Sequence, residues 1–151
     1  WPSQLEVIKS CFEDDKTQIA TLVKPFTEES SFEALQNINS PKVVVDKDMN
    51  ALYFSCSIIP YQRYVDTKDW LKNHTYYKHI GLYAYRGEVL KEITSLPQSS
   101  LEIAESLEQL RWLENGYKIK VGVSDVETIG IDTPQDLQRA EMFLKTINTD
   151  K

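Results

Sequence analysis

A chain of 151 residues, 41% hydrophobic and 26% charged, suits one globular domain with a single core. Its net charge of −6 and pI near 5.0 argue against general nucleic-acid binding, which needs a basic surface to neutralise phosphates. No apolar run reaches the length of a bilayer span, and Trp1-Pro2-Ser3-Gln4-Leu5-Glu6 lacks the basic-then-apolar pattern of a signal peptide.

The chain opens without an initiator methionine, inside a helical pattern, and so reads as a piece of a longer protein. Residues 3 to about 13 predict a helix, because Leu5, Ile8, Cys11 and Phe12 share one face. Residues 19–23 (Ile-Ala-Thr-Leu-Val) predict a buried strand. A short helix over 31–36 and a turn over 37–41 follow. Val43-Val44-Val45 and Ala51-Leu52-Tyr53-Phe54 predict a hairpin with a five-residue loop. Pro60 ends that element, since proline cannot donate to a ladder. Residues 61–76 read as a long polar and aromatic loop with a short helix near Trp70.

Residues 79–85 (His-Ile-Gly-Leu-Tyr-Ala-Tyr) predict a strand, and 87–96 a helix. A longer helix starts at a cap on Ser99 or Ser100. Leu101, Ala104, Leu107, Leu110 and Leu113 carry it to the stop signal Asn115-Gly116. Residues 119–123 alternate as a strand, and 129–131 form a short apolar run. Thr133-Pro134-Gln135-Asp136 then predicts a helix start: Thr133 caps, Pro134 suits the first turn, and Asp136 meets unpaired N–H groups. Strands and helices alternate, so the class is α/β.

Spacing alone names no reaction. The chain has no phosphate-binding glycine loop, no nucleophile elbow and no paired-cysteine zinc site. Cys11 and Cys56 have no partners at metal-ligand spacing and read as reduced thiols of a cytoplasmic protein. Asp132 lies between an apolar strand and a capped helix, where open α/β sheets bind ligands, and could offer a hard oxygen to magnesium. The plainer reading is helix-start stabilisation. His79 could donate to a hydroxyl or a carboxylate, or be a satisfied structural histidine. Glu108 and Gln109 point about 100° apart on a helix, so at most one sits near the centre of the polar face. Tyr83 and Tyr85 share one strand face, for ligand contact or for core packing.

Four segments, in order, resemble CMP-Kdo synthetase (3-deoxy-manno-octulosonate cytidylyltransferase). The first is Lys42-Val43-Val44-Val45-Asp46 with Ala51-Leu52-Tyr53-Phe54-Ser55, Ile59-Pro60 and Arg63. The second runs from Lys78-His79-Ile80-Gly81-Leu82 through Tyr83-Ala84-Tyr85-Arg86. The third is Leu101-Glu102 leading to Glu105 and Leu107-Glu108-Gln109-Leu110-Arg111. The fourth is Gly130-Ile131-Asp132-Thr133-Pro134-Gln135-Asp136-Leu137. Each is modest alone; together, at compatible spacing, they are specific and span nearly the whole chain.

The resemblance implies residues 1–151 as a single, truncated domain. It would be the C-terminal part of a nucleotide-diphospho-sugar transferase (Rossmann-like) fold, with a mixed sheet and flanking helices. It implies transfer of a cytidylyl group from CTP to Kdo, with release of pyrophosphate, for lipopolysaccharide assembly. His79, Tyr83, Glu108 and Gln109 would contact the sugar acid, with Arg63 available to its carboxylate, and Asp132 would be one Mg2+ ligand. Glu and Gln read hydroxyls, while His and Tyr supply donors. The family forms homodimers, for which the hairpin and the helix over 101–115 are candidate elements. Two departures stand out. The family's N-terminal part, with its CTP loop and a second magnesium-binding Asp, has no counterpart here, so the chain alone is expected to be inactive. Cys56 stands where the family has Arg, and a thiol cannot make the bidentate pair a guanidinium makes with a carboxylate. A cytidylyltransferase for a related acid sugar, or a non-catalytic sugar-acid-binding or dimerisation module, are the alternatives.

Overall fold

A computed structural model describes residues 2–126, 137–138 and 140–142. Helix α1 (Pro2–Ser10) leads into strand β1 (Ile19–Pro25), and a short α2 (Phe32–Gln36) is capped by the Ser31 side chain. Strands β2 (Lys42–Val45) and β3 (Ala51–Ser55) form the expected hairpin. Its five-residue loop is closed by the Asp46 N–H on the Asn50 carbonyl at 2.9 Å and by Asp46 Oδ1 accepting from the Asp48 and Asn50 amides. A 3-10 turn, Thr67–Asp69, runs into α3 (Trp70–Asn73), followed by β4 (Tyr77–Tyr85) and α4 (Gly87–Ile93). Then come α5 (Ser100–Glu105), α6 (Gln109–Glu114) and β5 (Ile119–Val123). Residues 137–138 and 140–142 are helical.

The sheet runs β3-β2-β4-β1-β5, with β1 and β5 parallel and the other pairs antiparallel. It is the mixed sheet that the family resemblance implies. Strand β1 shows why its apolar run is continuous. Ala20 and Leu22 face α1 through Ile8 and Cys11, while Ile19 and Val23 join the larger core with Phe54, Ile93, Leu110 and Trp112. Both faces of the strand are covered, as its lack of polar alternation requires. Helix α1 presses so closely on β5 that a Cβ at Gly122 would lie 2.8 Å from Val7 Cγ1, so only glycine fits there.

The hairpin pairs with β4 over only two residues, Lys42 with Lys78 and Val43 with Tyr77. It then leaves β4 and crosses the face of the sheet. Its loop meets the far edge, where the Val121 amide donates to the Met49 carbonyl at 2.8 Å and Asn50 bridges Lys120. The hairpin, α4 and α6 therefore cover the same face of the sheet, and Tyr83 and Tyr85 of β4 pack under them.

The single helix expected through residues 101–113 is two. Ser106 adopts a left-handed conformation (φ 56°) and ends α5, and α6 begins at Gln109. Apolar residues spaced strictly by three drift about 60° per step around a helix of 3.6 residues per turn. A straight helix would carry Leu101 and Leu110 to opposite sides, so these leucines do not share one apolar face; Leu110 is fully buried and Leu101 exposed. The two halves are tied by a buried ion pair. Arg111 Nε donates to Glu102 Oε2 at 2.7 Å, Nη2 donates to Oε1, and Nη1 donates to the Leu96 carbonyl. Glu114 closes the pair by accepting from Ser100 Oγ and the Leu101 amide.

Candidate functional site

Strand β4 places His79, Tyr83 and Tyr85 on one face. Between Thr21 and Leu22 of β1 the register skips Gly81 and Leu82 of β4. Because the bulge takes two residues, the alternation is kept and the rings still line up. His79 and Tyr83 have ring centroids 5.4 Å apart, and Tyr83 and Tyr85 stack at 6.1 Å. Trp112 of α6 meets both tyrosines edge-on at 5.1 and 5.6 Å, and Phe54 of the hairpin meets His79 edge-on at 5.2 Å. Gly81 is exposed between His79 and Tyr83, and a Cβ there would meet no atom within 4 Å, so the strand borders open space at that point.

The polar atoms of this cluster are unevenly served. Thr21 Oγ1, on fully buried Thr21, lies 3.0 Å from His79 Nε2, 2.8 Å from the Leu82 carbonyl and 3.3 Å from the Ile80 carbonyl. Burial pushes the His79 ionisation down to about 4, so the ring is neutral at neutral pH. The Tyr83 hydroxyl is enclosed and has no hydrogen-bond partner of proper geometry. Burial raises it far above the ordinary tyrosine range; Tyr85 and Glu108 add to that, and Thr21 opposes it. Gln109 is buried at the start of α6, and its Nε2 also has no partner. Glu108, one residue earlier, is exposed, and its charge is felt by Tyr83, Tyr85 and Arg111. The two carboxyl-or-amide side chains therefore divide as their angular separation requires, one inward and one outward.

Of the sequence candidates, the structure brings His79, Tyr83 and Glu108 into one neighbourhood, with Gln109 buried beside it on α6. Arg63 is not part of that cluster among the described contacts. It is exposed on the loop after β3, with its guanidinium 5.0 Å over the Tyr64 ring. Asp132, with the Thr133–Asp136 helix start, lies outside the described residues.

Residue 56 sits in a polar clamp beside the cluster, two residues beyond Phe54. The Cys56 amide donates to Glu105 Oε2 at 2.9 Å, and its thiol donates to the Glu105 carbonyl at 3.5 Å. Ser55 Oγ donates to Glu105 Oε1 at 2.7 Å. From the other side, fully buried Lys42 donates from Nζ to the Cys56 and Asn37 carbonyls, both at 2.9 Å. Burial raises the Glu105 carboxyl, but the hydrogen bonds from Ser55, Cys56 and Tyr53 outweigh it and hold the group below the usual carboxylate range. Burial lowers Lys42, against the pull of Cys56 and Glu105, and burial raises the Cys56 thiol. Thr21, Lys42 and Trp112 are structural partners that spacing did not single out. Thr21 had a legible signal, a hydroxyl inside an otherwise apolar strand, which must find a partner when buried.

A mixed α/β sheet crossed by a hairpin, with aromatic rings and enclosed, unpartnered donors gathered at one strand, is an arrangement found in small-molecule-binding proteins. The chain belongs to the cytidylyltransferase family, whose model matches residues 3–119. It is 78% identical over 144 residues to the 3-deoxy-manno-octulosonate cytidylyltransferase of Bacteroides thetaiotaomicron, covering 95% of this chain and 58% of that one. It is 54% identical over 143 residues to the enzyme of the same name from Porphyromonas gingivalis, covering 95% of this chain and 56% of that one. Among solved structures it is similar to CMP:2-keto-3-deoxy-manno-octonic acid synthetase complexed with CTP, with a TM-score of 0.82 and 34% identity over 96% of this chain and 56% of that one. The chain thus spans somewhat over half the length of the curated relatives it matches.

Proposed function

We propose that this chain is the sugar-acid-binding portion of a cytidylyltransferase that transfers CMP from CTP to Kdo for lipopolysaccharide assembly. The observation that carries the reading is the 78% identity, over 95% of the chain, to a relative bearing that activity in its name. In the reaction, the anomeric oxygen of the sugar acid forms a bond to the α-phosphorus of CTP, and the bond from that phosphorus to pyrophosphate breaks. Such a transfer asks the protein mainly to position the nucleophile and offset charge. Kdo offers several hydroxyls and one carboxylate, and the enclosed Tyr83 hydroxyl and Gln109 amide are donors that such a ligand would satisfy. Glu108, exposed at the head of α6, is free to accept from hydroxyls.

Magnesium, when bound, would offset phosphate charge, with Asp132 as one hard oxygen ligand. Among the described residues no group of three His, Cys, Asp or Glu side chains could hold a metal, and Asp132 lies outside them. The described residues contain no helix long and apolar enough to cross a membrane. The reading extends to a cytoplasmic homodimer, with the hairpin and the α5–α6 pair as candidate contacts.

The test is magnesium-dependent pyrophosphate release from CTP and Kdo. We expect none from the 151 residues alone and release when the remaining length of the relatives is joined to them. Release with a related acid sugar but not with Kdo would move the substrate assignment, and no release with any sugar acid would overturn the reading. In the joined protein, Cys56→Arg is expected to tighten sugar-acid binding, because a guanidinium at that clamp can pair with the ligand carboxylate. Glu105 is the competing carboxylate. Unchanged affinity would remove position 56 from the carboxylate site.

A further inference from the structure

We propose that Thr21 is a positioning residue for His79. Its buried hydroxyl fixes the imidazole as the Nε2–H tautomer, so the ring meets a sugar acid through Nδ1, as acceptor for a hydroxyl and not as partner to the carboxylate. This rests on the sugar-acid reading of the site and sharpens what His79 does there.

A threonine hydroxyl has one proton and two lone pairs. Three groups meet Thr21 Oγ1 in hydrogen-bond geometry: the Leu82 carbonyl at 2.8 Å, His79 Nε2 at 3.0 Å and the Ile80 carbonyl at 3.3 Å; the Tyr83 hydroxyl also feels Thr21 but lacks that geometry. Both carbonyls are acceptors only, so each needs the hydroxyl proton, and the shorter contact to Leu82 is the better donation. They flank the bulge at Gly81 and Leu82, where β4 leaves register with β1, and Thr21 lies fully buried against them. With the proton spent on a carbonyl, Oγ1 can meet Nε2 only as an acceptor, so Nε2 carries the hydrogen. The reverse arrangement would set a hydroxyl lone pair against the Leu82 oxygen at 2.8 Å.

The ring is neutral, since burial holds its ionisation near 4, and so has one proton to place. Placing it on Nε2 leaves a lone pair at Nδ1. The sequence-based expectation that His79 donates to the ligand is thereby turned round. A lone pair repels a carboxylate and accepts from a hydroxyl, which leaves the carboxylate to the Tyr83 and Gln109 donors. Thr21 is a single buried side chain that both seats the β4 bulge and sets the polarity of the ring.

Two readouts on the protein containing this chain test the proposal. The first is long-range 15N–1H NMR of the imidazoles, with His79→Gln identifying the His79 signals by their loss. We expect a protonated, pyrrole-type Nε2 and a pyridine-type Nδ1 in the unsubstituted protein. The tautomer should be kept in Thr21→Ser and lost or mixed in Thr21→Val. A pyridine-type Nε2 in the unsubstituted protein overturns the proposal, whatever the enzyme turns over and whether or not Thr21→Val folds. The second is steady-state kinetics with Kdo. Thr21→Val should raise the sugar-acid KM about tenfold, with kcat and the CTP KM little changed, and Thr21→Ser should restore it. A Thr21→Val protein with unchanged tautomer and unchanged KM also overturns it. Absence of turnover with every sugar acid would sink the functional reading alone, because the NMR result stands independently.

Discussion

Tyr76, just ahead of β4, and Tyr83, towards the far end of that strand, are buried in opposite ways. The Tyr76 hydroxyl donates to the Pro60 carbonyl at 2.9 Å and accepts from Gln62 Nε2 at 3.0 Å. Gln62 also holds the Trp70 carbonyl, and Trp70 Nε1 donates to the Val65 carbonyl. The rings of Trp70 and Tyr76 stack within 10° of parallel, with Leu35 beneath them. Tyr83 packs as closely, against His79, Tyr85 and Trp112, yet its hydroxyl is enclosed without a partner, and so is the Gln109 amide nearby on α6. A buried polar group left unpaired costs about 1–3 kcal/mol. The first cluster is satisfied within the chain, and the second leaves two donors that the proposed sugar acid would meet.

The largest expected effect falls on the closed cluster. Trp70→Ala removes a side chain that is 3% exposed and touches Phe32, Tyr61 and Tyr76. It should destabilise the protein by about 3–5 kcal/mol, measured by urea unfolding. The sugar-acid KM of the protein that remains folded should hold. A KM that rises in step with the stability loss would break the division between the clusters.

A smaller and sharper test compares one atom in each. Tyr76→Phe strands the Pro60 carbonyl and takes one acceptor from Gln62, so it should cost about 1–2 kcal/mol of stability and leave the KM alone. Tyr83→Phe removes a hydroxyl that nothing in the chain satisfies. Its stability should stay within about 0.5 kcal/mol of the parent or rise, while the sugar-acid KM rises about tenfold. Equal stability losses in the two variants would mean that Tyr83 is scaffold too.

The sequence showed the strands better than it showed their neighbours. Alternation and β-branched runs located all five strands among the described residues, and turn chemistry gave the hairpin with its five-residue loop. The break at Ser106 was missed because leucines three apart look helical locally, although their phase drifts over the whole segment. The clamp on residue 56 was missed for a different reason. Glu105 reaches Ser55 and Cys56 across 50 and 49 residues of chain, and no local pattern encodes that distance. Lys42 reads as a solvated charge at a strand start and is fully buried between two carbonyls. The residues of the candidate site came from likeness to a family. Spacing placed Tyr83 and Tyr85 on one face but could not say that the Tyr83 hydroxyl would be left unpaired.

The last comparison is of pH windows: His79 of the β4 cluster against the paired carboxylates Glu105 and Glu102. Burial holds His79 near 4 in the folded chain, against 6.5 when exposed. Between those values the unfolded state binds a proton that the folded state refuses, so stability falls as pH falls. The His79 contribution is therefore complete above about pH 6.5, is eroded as pH drops from 6.5 towards 4, and changes no further below that. Glu105 and Glu102 are held below the usual carboxylate range, Glu105 by its hydrogen bonds from Ser55 and Cys56 and Glu102 by Arg111. Their contributions are present above that range and lost as pH falls through and beneath it. The two windows separate cleanly between pH 7 and pH 5. Over that interval the melting temperature of the unsubstituted protein should decline, and that of His79→Gln should decline less. Parallel declines would mean that His79 is solvated well enough to take its proton in the folded chain. The neutral ring that the hydroxyl contact needs would then be lost through protonation already near pH 6.5, and not only near 4.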